Sequence, residues 1–266
     1  MARLETPVSE STRDAAPRAE VQRLARERDY HNHRFADDSE RESRVGRFYS
    51  AIEYGFELYR RRVSEESAGR WLLEYGCGNG ALAFDVADQA RQVVGIDISD
   101  VAIEQARHIA ALRGLQNVTF VVDNAEAMHL ADRYVDVVAG SGIVHHLDIP
   151  KSMREVRRVL RHGGTAIFAE PLGHNPLLNW YRRRTPELRT VDEHPLLERD
   201  LRNMAGEFTS MKVTYFGLIA PVLGLFARET SPTNPATRFV WWLDRLVCRV
   251  PLLSRYAWYC VVELRA

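Results

Sequence analysis

The sequence predicts an α/β protein built on a doubly wound, mostly parallel sheet. Two observations carry that expectation. Short apolar runs alternate with stretches of helical periodicity, the rhythm of repeated βαβ units. The first run, Trp71-Leu72-Leu73, leads into Glu74-Tyr75-Gly76-Cys77-Gly78-Asn79-Gly80, where three glycines in five residues cannot continue a strand. They make a tight turn of low bulk that lets a ligand approach the backbone. Ala81 to Ala87 then reads as a helix opening, with unpaired N–H groups facing the turn.

Taken in order, residues 1 to about 15 are Ser, Thr, Pro and charge and read as disordered. Ala16 to Ala36 has helical potential and carries Tyr30, His31, His33 and Phe35. Residues 1–45 therefore form an arm, either packed at the surface or folded over the cofactor mouth as a lid. Arg47 to Val63 places Phe48, Tyr49, Ile52, Phe56 and Tyr59 on one helical face. The second strand is Gln92–Asp97, followed by a helix over Val101–Arg113 and a turn at Gly114–Asn117. The third strand is Val118–Asp123, with Asn124-Ala125-Glu126 opening a further helix. Tyr134–Gly140 is the fourth strand and runs into Ser141–Leu147. A helix over Pro150–Leu160 is closed by Gly163-Gly164, and Thr165–Glu170 is the fifth strand. Met211–Phe216 reads as strand six and Tyr256–Leu264 as the last strand. Insertions at about 171–196 and 217–250 bracket strand six, where caps over a substrate would stand.

The 266 residues suit one embellished α/β domain. Lys+Arg equals Asp+Glu, so the net charge is +0 and no whole-protein field draws nucleic acid. Three scattered cysteines make neither a disulfide framework nor a zinc site, and the N-terminus lacks an apolar signal core. A reducing cytoplasm is the expected compartment. The longest apolar stretch, Phe216 to Phe226, is too short to span a bilayer.

Polar groups gather at the strand ends: the glycine loop, Asp97, Asp123, Ser141 to His146 and Glu170. Asp97 follows the glycines by roughly 20 residues, the separation at which a carboxylate meets a ribose hydroxyl pair. The competing role, capping the next helix, falls to Ser99. Asp123 either accepts from an exocyclic adenine amine or caps the helix that follows.

These motifs together resemble the class I S-adenosylmethionine-dependent methyltransferases over about residues 46–266. Glu74 to Gly80 is similar to that family's acidic glycine loop, Gly95-Ile96-Asp97-Ile98-Ser99 to its second acidic motif, and Asp123-Asn124-Ala125-Glu126 to its adenine motif. The resemblance implies a Rossmann-like seven-stranded sheet with the final strand antiparallel. It implies that Gly76, Cys77, Gly78, Asn79 and Gly80 line the methionine part of the cofactor, with Ser141 nearby and Glu74 holding its amino end. It implies that Asp97 and Ile98 meet the ribose and that Asp123, Asn124 and Ala125 meet adenine. The segment Glu170–Leu196 is similar to bacterial small-molecule methyltransferases.

Methyl transfer to an oxygen or nitrogen usually needs a proton removed near neutral pH. His145 is the candidate base, because it follows strand four. His146, His174, Tyr181 and His194 form the candidate substrate set. No metal is expected, since no carboxylate stands at a helical ligand spacing from the paired histidines. Arg182-Arg183-Arg184 reads as a solvated helix end, with an acidic substrate as the alternative. The Trp-rich stretch 217–250, flanked by Arg238, Arg245 and Arg249, is a cap core, a lining for a hydrophobic acceptor or an interfacial helix. Two rival functions remain. The loop also fits the G-x-G-x-x-A of NAD-dependent oxidoreductases, against which Glu74, Asp123 and the lack of a Tyr-x-x-x-Lys pair argue. A non-catalytic module binding a partner or membrane is the other.

Overall fold

A computed structural model describes residues 10–36, 46–186, 190, 192–227 and 230–266. Its centre is a seven-stranded sheet in the order β3-β2-β1-β4-β5-β7-β6. The strands are β1 Trp71–Tyr75, β2 Gln92–Asp97, β3 Val118–Val122, β4 Val135–Ser141, β5 Leu160–Pro171, β6 Ser210–Phe216 and β7 Tyr259–Arg265. The first five are parallel, and β7 lies antiparallel between β5 and β6. Burial explains the order. Cys260, Val261 and Val262 of β7 are buried on both faces, as a central strand requires, whereas β6 and β3 are largely half-exposed and form the edges.

The helices are α1 Glu10–Ala36, α2 Glu53–Ser67, α3 Ala81–Val86, α4 Asp100–Leu112, α5 Ile149–Val159, α6 Pro176–Arg184, α7 Glu198–Ala205 and α8 Pro235–Val247. Ile52, Val63, Ala83, Ile103 and Trp241 build the apolar layer on one sheet face; Met153, Val156, Leu201 and Met204 build the other. Strand order reverses between β1 and β4, so their connections diverge and leave a crevice at the carboxyl ends.

Local chemistry sets the boundaries. Ser99 caps α4, its hydroxyl accepting from Ala102 N at 3.1 Å, as expected for it. Asp148 caps α5, and Asn175 caps α6. Several expectations are corrected. Gly163-Gly164 do not close a helix. The helix stops at Val159 and β5 begins at Leu160, pairs with Val135, bulges outward at the left-handed Gly163 and rejoins the ladder at Thr165. Asn124-Ala125-Glu126 is a loop rather than a helix, because Asp123 and Asn124 side chains accept from backbone N–H groups there. The helix around residue 52 is two pieces, 46–51 and α2, broken at Ile52. The helical arm starts at Glu10, inside the segment read as disordered; residues 1–9 of that segment lie outside the described residues.

Helix α1 packs along α4. Asn32 donates to Asp100 Oδ1 at 2.9 Å, and Gln105 donates to the Phe35 carbonyl at 3.0 Å. Among the described residues no helix is long and apolar enough to cross a membrane.

Candidate active site

The glycine turn does what its composition demands. Gly76 and Gly78 adopt φ of +70° and +50°. A Cβ on Gly76 would lie 2.7 Å from the Ile143 side chain, and one on Gly78 would lie 2.7 Å from the Phe35 ring. The loop is therefore clasped between the segment after β4 and helix α1. Asp97 ties it to β2, its Oδ2 accepting from Gly78 N at 2.8 Å and its Oδ1 from Ser99 N at 2.9 Å.

A cavity of about 400 Å³ opens at these strand ends. Glu74, Gly76, Cys77, Gly78 and Asn79 line it from the loop, Asp97 and Ile98 from β2, Asp123, Asn124 and Ala125 from β3, and Ser141 from β4. Gly80 stands just behind, at the N-cap of α3 with φ +84°. Sequence distance is thus collapsed as the strand-end argument requires.

The carboxylates differ in environment. Glu74 is buried and accepts from Ala83 N at 2.9 Å. Burial pushes its carboxyl up to about 8, against the pull of the α3 N–H groups. Asp97 uses one lone pair on each oxygen internally, so each keeps capacity for a further donor. Asp123 accepts from Asn124 N and from His129 N and Nδ1, so it also shapes its own loop. Tyr75 Oη donates to the Ala125 carbonyl at 2.6 Å and fixes the rim beneath.

Beyond β4, a single 3-10 turn, Val144–His146, presents two histidines differently. His145 is buried behind the wall. Its Nδ1 stands 2.7 Å from Glu170 Oε2, while Glu170 Oε1 accepts from Ile143 N and Val144 N. Burial holds its imidazole below the ordinary value, outweighing the Glu170 hydrogen bond. With its Nδ1 turned to Glu170, the ring leaves Nε2, which stands 3.9 Å from Glu193 Oε1. Its Cε1 lies 3.8 Å from the position of a Cβ on Gly142, a cavity-lining residue. His146 is in the wall itself, 3.2 Å from Glu27 Oε2 by its Nδ1.

The remaining candidates stand elsewhere. His174 Nε2 accepts from Glu198 N at 3.0 Å and so caps α7. Tyr181 lies half-buried in α6, outside the cavity lining, and the His194 side chain is exposed. His194 contributes its backbone N–H to the His145 carbonyl at 2.9 Å. In the Arg182–Arg184 run, Arg182 donates to the Leu172 carbonyl and the Arg184 guanidinium lies 4.2 Å from the Trp180 ring centroid.

Sequence reasoning gave Glu170 no role and left α1 between two readings. Arg23, Glu27, His31 and Phe35 of α1 all line the cavity. Arg23 bridges the His146 carbonyl and Glu126. The one signal available was the i, i+4 placement of Glu27 and His31, two polar groups on one helix face.

Comparison with known proteins agrees with this geometry. A family model described as a methyltransferase domain matches residues 66–207. Aklanonic acid methyltransferase DauC of Streptomyces sp. (strain C5) is 36% identical over 127 residues, 46% of this chain and 58% of that protein. Methyltransferase YcgJ of Bacillus subtilis (strain 168) is 26% identical over 156 residues, 58% of this chain and 61% of that protein. The chain thus spans under two thirds of the length of these relatives. In fold, it resembles the YcgJ crystal structure with a TM-score of 0.54 at 17% identity, covering 80% of this chain and 96% of that one. It also resembles geranyl diphosphate C-methyltransferase from Streptomyces coelicolor A3(2), with a TM-score of 0.58 at 16% identity, covering 79% and 78%. The matched domain takes in the glycine loop, both strand-end acids and the two histidines, and the chain belongs to the class I S-adenosylmethionine-dependent methyltransferases.

Proposed function

We propose that the protein transfers a methyl group from S-adenosylmethionine to a small, hydrophobic acceptor, with His145 as the base. The observation that carries the reading is the convergence of the glycine loop, Asp97, Asp123 and Ser141 on one cavity. The residues fit the cofactor. The left-handed glycines keep the loop free of side chains where the methionine part would lie, and Asp97 retains acceptor capacity for two ribose hydroxyls. Glu74 would hold the amino end, and Asp123 with the Ala125 backbone the adenine.

When bound, the cofactor supplies a sulfonium-activated methyl group for in-line displacement. The cavity contributes alignment and exclusion of water, worth several kcal/mol in effective concentration. His145 takes the acceptor's proton at Nε2, and Glu170 steadies the ring at Nδ1. DauC, whose name gives aklanonic acid as its substrate, favours an acidic acceptor over an amine. We place the enzyme in the cytoplasm, which its three buried free cysteines suit. A second reading concerns the outer face of 217–250. Phe239, Trp242 and Leu246 are exposed at helical spacing in α8 beside Arg245, which favours peripheral contact with an anionic membrane.

Calorimetric titration with S-adenosylmethionine, S-adenosylhomocysteine and NAD tests the assignment. Micromolar binding of both adenosyl compounds and none of NAD is expected, with at least 100-fold weaker binding in Asp97→Ala. Wild-type affinity in that variant would sink the site, and binding of none of the three would favour the non-catalytic module.

A further inference from the structure

The cluster of Glu27, His31 and His146 is not used by the reaction outlined above. Glu27 and His31 lie one turn apart on α1, and His146 comes from the turn after β4. All three line the mouth of the cavity, and their donor atoms lie within 4.8 Å of one another.

Glu27 is the informative member. It is 4% exposed, and among the described residues neither of its oxygens accepts a hydrogen bond of sound geometry. A buried carboxylate without such partners is costly unless a positive charge stands beside it. The nearest nitrogens are His146 Nδ1 at 3.2 Å and His31 Nε2 at 3.5 Å. These separations exceed the roughly 2.7–2.9 Å of a charge-assisted hydrogen bond. They match the edge of a coordination polyhedron instead, since metal–donor distances of about 2.0–2.2 Å separate neighbouring donors by about 3.0–3.5 Å. Arg23, the closest cation of α1 to His146, is already paired with Glu126. His145, held by Glu170 at Nδ1, makes a second donor group with His146 and Glu193, but Glu193 is less buried than Glu27.

We propose that Glu27, His31 and His146 bind one divalent transition-metal ion at the cavity mouth, joining α1 to the turn after β4. Two imidazoles and one carboxylate suit Zn2+, Fe2+, Co2+ or Ni2+ and disfavour Mg2+. Three protein ligands leave at least one coordination position open, and the cavity is the space beside it. An oxygen-bearing ligand, such as a phenolate, enolate or carboxylate, is the chemistry that position would take. The ion would add a cross-link to the contacts that already hold α1, because two ligands ride on the helix and the third on the turn after β4.

The test uses protein stripped with a chelator and dialysed. Cobalt(II) titration followed by visible absorption, and zinc titration by calorimetry, should each give one site per chain. Zinc should displace cobalt, and excess magnesium should not. Zinc should also slow proteolytic cleavage within α1. Glu27→Gln and His31→Ala should each weaken zinc binding by about tenfold or more, while His108→Ala, on the exposed face of α4, should leave it unchanged. Circular dichroism checks that each variant is folded. Zinc affinity surviving both α1 substitutions would overturn the site. So would the absence of saturable one-to-one binding in the unsubstituted protein, a result that needs no variant.

Discussion

The two insertions around strand six carry the same expectation, a cap over the substrate, and lie on opposite sides of the molecule. The first, 171–196, turns toward the cavity rim. Leu172 bridges Leu196, and the following chain brings Thr190 to 3.5 Å from His146 Nδ1, Asp192 onto Arg26 of α1 and the His194 N–H onto the His145 carbonyl. The second, 217–250, turns away; none of the described residues of either insertion lines the cavity itself. It braces the helices behind instead. Trp241 donates to the Ala51 carbonyl at 2.8 Å, and the buried Asp244 accepts from Tyr54 Oη and from the backbone of Gly217, Ile219 and Ala220. The first thus touches α1 and the turn after β4, whose residues line the cavity, while the second touches the helices behind the sheet. Sheet order explains why: β6 is the edge strand, with β7 and β5 between it and the cavity, so chain leaving β6 packs at the far side. The first insertion therefore stands beside the cavity rim, and the second braces packing away from it.

That division can be broken by experiment. The largest effect belongs beneath the first insertion. His145→Ala should slow turnover by about 10²–10⁴-fold while S-adenosylhomocysteine affinity, measured by calorimetry, stays at the wild-type value. Unchanged turnover would remove His145 as the base. In the second insertion, Asp244→Ala should cost about 3–5 kcal/mol in urea denaturation, because it strands several buried donors at once. Cofactor affinity of the folded protein should not move, and a loss below about 1 kcal/mol would show the bracing to be incidental.

Glu74, in neither insertion, gives a pH reference for both. Its folded value of about 8 lies above the ordinary 4.5. The neutral form is favoured by folding, so this stabilisation is complete below pH 4.5 and is lost as pH rises through about 8. Denaturation midpoints should fall from pH 5 to pH 9 in the wild type and fall less in Glu74→Gln; parallel curves would refute the assignment. The smallest effect lies on the outer face of the second insertion. Trp242→Ser with Phe239→Ser should change stability by no more than about 0.5 kcal/mol yet reduce co-sedimentation with anionic vesicles. Equal sedimentation would restrict 217–250 to bracing.

Much of this was legible in the residues. Three glycines in five require left-handed backbone, and Gly76, Gly78 and Gly80 adopt it. Apolar runs ending in Asp97 and Asp123 carry those acids to the strand ends because strand direction is set locally, and both line the cavity. Periodicity also placed strands six and seven, but it carried no information on their exchange of position in the sheet.

What the residues did not show depends on pairings across long stretches of chain. No carboxylate stands at a helical ligand spacing from the paired histidines, whereas Glu27 arrives from 119 residues earlier on another element, a separation that spacing rules cannot see. The division of labour between His145 and His146 is likewise absent from the dipeptide. It arises because Glu170, at the end of the neighbouring strand, pulls one ring into the wall, while α1 meets the other at the opening. Local chemistry fixes backbone shape and which face is apolar. The glycine loop and strand-end acids are legible because they need little more than that, while the wall made by α1 and the turn after β4, assembled by packing between distant segments, waits on the folded chain.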